Sequence, residues 1–122
     1  MDITTILSAK GGIEKTMGDV LRVLWLYKRL WLTEICMEIE GMNATLKENI
    51  PSYDDVRSAV KELSNKGYVQ MEKSIRGSLL HVRGVEDYLV TLNENPEIVS
   101  ALTEDKKLSE YIRIKYSMFK AT

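Results

Sequence analysis

The chain has little of the residues that build covalent or metal chemistry. It holds one cysteine, Cys36, and one histidine, His81. One cysteine cannot close an intrachain disulfide, and a Cys/His zinc site needs about four ligands. A lone cysteine suits a reducing compartment. Only two prolines are present, and no Pro-rich or Ser/Gly-rich run divides the 122 residues. A flexible linker between two domains is therefore not expected. Long hydrophobic runs are also missing. The most apolar stretch, Val20 to Leu32, is broken by Arg22, Lys28 and Arg29, and it is shorter than the ~20 apolar residues of a membrane span. Met1-Asp2-Ile3 offers no basic n-region, so no secretory signal is expected. Finally, no sign of charge dominates: 17 Lys and Arg stand against 18 Asp and Glu, for a formal charge of -1. That excludes a histone-like or ribosomal type of protein that coats nucleic acid by bulk charge. The expectation is a small soluble cytoplasmic protein.

What is present is an ordinary globular mixture, 44% hydrophobic and 29% charged, at a length typical of one domain. The charge is unevenly spread. Residues 1–56 carry six basic and nine acidic side chains, and residues 84–122 carry five and seven. Between them, residues 57–83 carry Arg57, Lys61, Lys66, Lys73, Arg76 and Arg83 against Glu62 and Glu72, net +4. A near-neutral sum thus hides a basic middle between acidic flanks.

Periodicity gives the elements. Ile3, Ile6 and Leu7 form a short helical stripe that Gly11-Gly12 ends. From Ile13, apolar residues at spacings of three and four run through Met17, Val20, Leu21, Leu24 and Tyr27 to Trp31, predicting one long helix. Thr33 is a plausible N-cap for a second helix through Ile35, Cys36 and Ile39, closed by Gly41. Met42 to Pro51 is either an extension of that helix or a loop with a short strand. Ser52 then caps the clearest helix, with Asp54 and Asp55 in its first turn and Val56, Ala59, Val60 and Leu63 as its buried stripe. Asp55 is placed to complete a capping box with Ser52. Tyr68 to Ile75 reads as a strand, Arg76-Gly77-Ser78 as its turn and Leu79 to Arg83 as the return strand. Three helical pieces follow: Val85 to Leu92, a helix opened by Asn95-Pro96, and a last one capped by Thr103.

Helix, helix, helix and a two-stranded hairpin make a winged helix-turn-helix, a mainly α fold with a small β-hairpin (α+β) and extra C-terminal helices. Ser52 to Val69, SYDDVRSAVKELSNKGYV, resembles the third helix and first wing strand of MarR-like and archaeal winged-helix regulators. Val82 to Leu89 is similar to the segment that leaves the wing in those proteins. The size and the C-terminal helices resemble the small archaeal Lrs14-like regulators. The resemblance covers roughly residues 17–90, leaving 91–122 as C-terminal helices for dimerisation within one domain of residues 1–122.

The resemblance implies a sequence-preferring double-stranded DNA-binding protein, a transcription regulator acting as a homodimer. In such a fold the third helix meets base edges in the major groove. Its outer face here would show Tyr53, Arg57, Ser58 and Lys61, with Arg57 able to fork onto guanine or phosphate. On the hairpin, Lys73 and Arg76 would reach flanking phosphates or a minor groove, with Arg76 at the tip. Leu108, Tyr111, Ile112, Tyr116 and Phe119 share one side of the last helix. They are expected to pack with the N-terminal helix and a twofold mate. The alternative is a winged-helix protein-interaction module without DNA binding, suggested by Asp54-Asp55 and the low isoelectric point.

No catalytic constellation stands out, so no enzyme, cofactor, metal or small-molecule effector is expected. Ser8 to Thr16, SAKGGIEKT, resembles the deviant phosphate loop KGGxGKT. Glu14, however, stands where backbone N–H groups must curl around phosphate, and a carboxylate there repels the ligand. Cys36 is read as a small core residue.

Overall fold

Asp2 opens the first helix by accepting a hydrogen bond from the Thr5 N–H at 2.8 Å, the usual role of an N-cap carboxylate. The structure is a computed structural model that describes residues 2–121, with side chains through Met118. Helix α1 (Ile3–Ser8) buries Ile3 and Ile6, and α2 (Gly12–Tyr27) buries Met17, Val20, Leu21 and Leu24. The long helix expected to reach Trp31 stops early. Lys28 takes a left-handed φ of 70° while its N–H closes the helix onto the Leu24 carbonyl. Arg29–Trp31 then forms strand β1. Its apolar spacing continues the helical pattern, so periodicity alone could not find the break.

Helix α3 runs Leu32–Thr45. Thr33 is not its cap; the chain enters through Trp31, whose N–H donates to Glu34 Oε1 at 2.9 Å. Nor does Gly41 end it. Of the two readings of Met42 to Pro51, the helix extension holds as far as Thr45, and an irregular segment follows to Ser52. Helix α4 (Tyr53–Asn65) begins as expected. Ser52 Oγ accepts from the Asp55 N–H at 3.1 Å, and Asp55 Oδ2 accepts from the Ser52 N–H at 3.2 Å.

The sheet differs most from expectation. Strand β2 is Val69–Arg76, but its partner β3 is Val85–Leu92, the segment expected to be a helix. The two pair antiparallel from Val69 with Leu92 to Arg76 with Val85. Residues 79–83, expected to be the return strand, lie instead in the connection at the wing tip. Strand β1 pairs with the other edge of β3, giving the order β1-β3-β2. Val85, Tyr88, Leu89 and Leu92 imitate a helical stripe. As a central strand, β3 buries Val90 and Leu92 on one face and Asp87 on the other, so the alternation that marks a half-exposed strand is lost.

Helix α5 (Pro96–Thr103) starts from Asn95, whose Oδ1 accepts from the Ile98 N–H at 2.9 Å. Helix α6 (Lys106–Ala121) is capped by Asp105, which accepts from the Leu108 N–H at 2.9 Å, and not by Thr103, whose hydroxyl donates back to the Val99 carbonyl. From α2 to β3 the chain is a winged helix-turn-helix, mainly α with a small antiparallel sheet, followed by two extra helices. One apolar cluster joins all of it, from Ile6 and Leu21 through Ile35, Ile39, Val60 and Val90 to Leu102.

Candidate nucleic-acid interface

The buried stripe of α4, Val56, Ala59, Val60 and Leu63, fixes which side faces out. At 3.6 residues per turn, Asp54, Ser58, Lys61 and Asn65 stand opposite that stripe, while Tyr53 and Arg57 flank it. All six are exposed. Tyr53 and Arg57 lean toward the sheet. Arg57 Nη2 donates to Tyr88 Oη at 3.2 Å, and its guanidinium carbon lies 5.4 Å from the Tyr88 ring centroid. Such stacking holds a guanidinium in place without neutralising it. Partial burial, then the charge of Asp87, raises the Tyr53 hydroxyl above its ordinary pKa, keeping it a neutral donor. Tyr88 pairs in register with Lys73 across the hairpin, so Lys73 stands on the same side of the ribbon. Tyr53, Arg57, Tyr88 and Lys73 are thereby brought together where α4 meets the wing. Ser58 and Lys61 occupy the outward face separately.

Two carboxylates bear on this surface. Asp55 is turned back onto Ser52, as expected of a capping box. Asp54 is exposed on the outward side. Lys73 is also 3.4 Å from Glu86, with both side chains solvated, a geometry worth little energy and readily exchanged for another anion.

Arg76 is not at the wing tip. It is the last residue of β2, and its Nε donates to Asp87 Oδ2 at 2.9 Å. The same oxygen accepts from Thr33 Oγ1 at 2.6 Å. Asp87, only 4% exposed, thus braces the base of the wing against the start of α3. The tip is residues 77–84, where Leu79, Leu80, His81, Val82 and Arg83 are all exposed.

The sequence reading missed a second charged centre. Asp19, 1% exposed on α2, accepts from Arg22 at 2.9 Å, Lys107 at 2.6 Å, Lys15 at 3.3 Å and Asn43 at 3.0 Å. Arg22 continues to Asp105 at 2.7 Å and to the Leu7 carbonyl at 2.6 Å, and Lys107 to Glu48 at 2.7 Å. The network ties α1, α2, α3, the segment before α4 and the start of α6 to one another. Burial pushes the Asp19 carboxyl up, but hydrogen bonds from Lys107 and Asn43 and the charge of Lys15 outweigh it and hold the pKa low. Glu48 is held low in the same way by Lys107 and Lys15. An Asp inside the apolar stripe Met17 to Leu21 was the signal available. Beside the network lies an open cleft of about 830 Å³, lined by Lys10, Lys15, Lys47, Lys106 and Lys107 among others, with Glu48, Glu104 and Asp105 opposing them. Lys15, in the phosphate-loop-like segment, is already engaged by Asp19 and Glu48.

Of the expected dimer residues, Leu108 and Tyr111 are buried in the chain's own structure, at 2% and 8% exposure. They therefore offer no free apolar surface. Helix α1 likewise packs its stripe against α2 and α5. Ile112, Tyr116 and Met118 are exposed, and the side chain of Phe119 lies outside the described residues. Cys36 is half-buried against the core, and burial followed by the charge of Asp87 raises its thiol pKa, which suits a packing role. Among the described residues, no group of three or more His, Cys, Asp or Glu side chains could hold a metal ion. No helix among them is long and apolar enough to cross a membrane. No protein-family model, curated protein or solved structure matches the chain.

Proposed function

We propose that this chain is a sequence-preferring double-stranded DNA-binding protein that acts as a homodimeric transcription regulator. The observation that supports the reading best is the exposed Arg57, held by Tyr88 beside Lys73, on a capped helix whose outward face also carries Ser58 and Lys61. A helix so presented fits a major groove about 12 Å wide. Arg57 would read a guanine edge or a phosphate, Tyr53, Ser58 and Lys61 would hold the backbone, and Lys73 would exchange Glu86 for a phosphate. Arg76 serves chiefly to stiffen the wing. A twofold dimer would set two such helices about 34 Å apart, one turn of duplex. The near-zero total charge predicts weak nonspecific binding, so the preferred sequence carries more of the affinity.

A salt titration of duplex binding tests this. Affinity should fall steeply with rising salt, and Arg57→Ala and Lys61→Ala should each weaken binding. If both contact phosphate, each should also reduce the salt slope by about one. A folded protein with no measurable binding to any duplex at low salt would overturn the reading. It would favour a protein-interaction module, for which the outward carboxylate of Asp54 is the specific observation.

A further inference from the structure

The cleft beside the Asp19 network holds cations that the network leaves over. Lys15, Arg22 and Lys107 stand against Asp19, Glu48 and Asp105, so the network itself is balanced, three charges against three. The same cleft, of about 830 Å³, is also walled by Lys10, Lys47 and Lys106. They come from the α1–α2 connection, the turn after α3 and the start of α6. All three are exposed, and none pairs with a carboxylate among the described residues. Against them the wall sets one further unpaired carboxylate, Glu104, which leaves a surplus of +2 made only of groups without partners. Lys47 adds an independent observation. It closes α3 in the left-handed region, at a φ of 58°, with its N–H on the Ala44 carbonyl at 3.3 Å and the Glu48 N–H on the Asn43 carbonyl at 2.8 Å. Glycine is the usual residue at that closing position, and a lysine there costs stability. Backbone strain of this kind gathers where a side chain serves a ligand.

We infer that this cleft is a binding site for a phosphorylated polyol, a compact molecule of the sugar-phosphate class. Its volume lies within the range of small-molecule sites, roughly 300–1,000 Å³, and exceeds what one inorganic anion fills. The free cations select the head group. All are ammonium groups. Arg22, the one guanidinium among the described residues of the wall, has its donors on Asp19, Asp105 and the Leu7 carbonyl. A carboxylate is best gripped by a guanidinium fork, whereas a phosphoryl group offers three acceptor oxygens to several point charges. The rest of the wall selects the body. Thr4, Ser8 and Asn49 supply hydroxyl and amide groups, and Leu7, Ala9 and Ala101 supply short apolar patches. Among the described residues of the wall there is no aromatic ring to stack a base. Glu48, its side chain 32% exposed, bridges Lys15 and Lys107 at 2.9 and 2.7 Å. It is the carboxylate with which a bound phosphoryl group competes.

Titration calorimetry and thermal melts of the full chain at low salt test this. The probes are fructose 1,6-bisphosphate, glucose 6-phosphate and glycerol 3-phosphate, against fructose, citrate and inorganic phosphate. The bisphosphate should bind, and fructose should not. Citrate and inorganic phosphate should bind at least about tenfold more weakly than the bisphosphate, the effect of one charge-assisted hydrogen bond. Lys106→Ala should weaken the bisphosphate by a similar factor with unchanged circular dichroism. Lys47→Gly should weaken it too while raising the melting temperature of the unliganded chain, a combination that misfolding cannot give. Glu48→Gln should tighten binding several-fold, although it removes ion pairs from the fold. No heat and no rise in melting temperature with any of the three phosphorylated polyols overturns the site. Citrate or inorganic phosphate binding as tightly as the bisphosphate overturns its chemistry, and variants that all bind like the wild type overturn its location. Lysine variants that keep the bisphosphate and lose duplex affinity assign these lysines to the DNA backbone; the ligand site is then overturned and the duplex reading stands.

Discussion

At the scale of single residues, the basic side chains of the middle segment divide into two kinds. Arg57 and Lys61 are exposed on α4, whereas Arg76 is spent on Asp87 and Lys73 is loosely paired with Glu86. The charge count therefore located the surface without ranking its members. Asp19 is the residue with the largest consequence for stability. Its carboxylate is almost wholly buried among three cations and one amide. Removing one partner of a buried pair costs about 3–5 kcal/mol, so Asp19→Ala should lower stability by that order in a urea titration. The pH dependence follows from the lowered pKa. A carboxyl that titrates lower folded than unfolded contributes its full stability above the unfolded value, about 3.9, and loses it as pH falls through the folded value. Thermal melts from pH 7 to pH 3 should therefore show the gap between wild type and Asp19→Asn closing below about pH 5. A gap that stays constant across that range would show that the Asp19 carboxyl titrates alike in the folded and unfolded chain, and one that widens as pH falls would show that it is not ionised in the fold.

At the scale of elements, two glycines show how location decides the meaning of one residue type. Gly41 lies inside α3, without positive φ, and an added Cβ there meets nothing within 4 Å. Gly41→Ala should therefore stabilise the protein by about 0.5–1 kcal/mol in thermal or urea melts, by raising helix propensity and reducing unfolded-state freedom. Gly84→Ala should do the reverse, costing at least about 1–2 kcal/mol for the left-handed backbone, with the overlap on Ile75 and Arg76 added. Equal effects of the two substitutions would contradict the hairpin geometry. The same scale explains what the sequence hid. Helix α4 was legible because its cap, acidic first turn and apolar stripe agree. Strand β3 was not, because a strand covered on both faces has no alternation, and its apolar residues fall at helical intervals. Its β-branched and aromatic content, Val85, Tyr88, Val90 and Thr91, was the available counter-signal. With β3 misplaced, Tyr88 was read on a helix, and its grip on Arg57 could not be anticipated.

At the scale of the whole molecule, α6 has two halves with different work. Its start is locked to the helix-turn-helix by Lys107 on Asp19 and Glu48 and by Leu108 and Tyr111. Its later part presents Ile112 and Met118 to solvent. If the homodimer forms, that later part is the surface available to it. Ile112→Glu with Met118→Lys should then halve the sedimenting mass while leaving the melt of the monomer little changed. An unchanged dimer mass would place the interface elsewhere. Truncation before α6 is a poorer probe, because it would also remove Lys107 and Tyr111 from the monomer.

The sequence by itself determined the fold class, the boundaries and cap of α4, and the basic character of its surroundings. Each of those is local: a cap, a period and a charge count need only neighbours in the chain. Tertiary structure decided the rest. Which strand completes the wing, which arginine is engaged by a carboxylate, which apolar residues of α6 remain uncovered and how Asp19 gathers Lys107 from 88 residues away all depend on partners distant in sequence. No period or composition encodes such partners, because burial and pairing exist only once the chain has closed on itself.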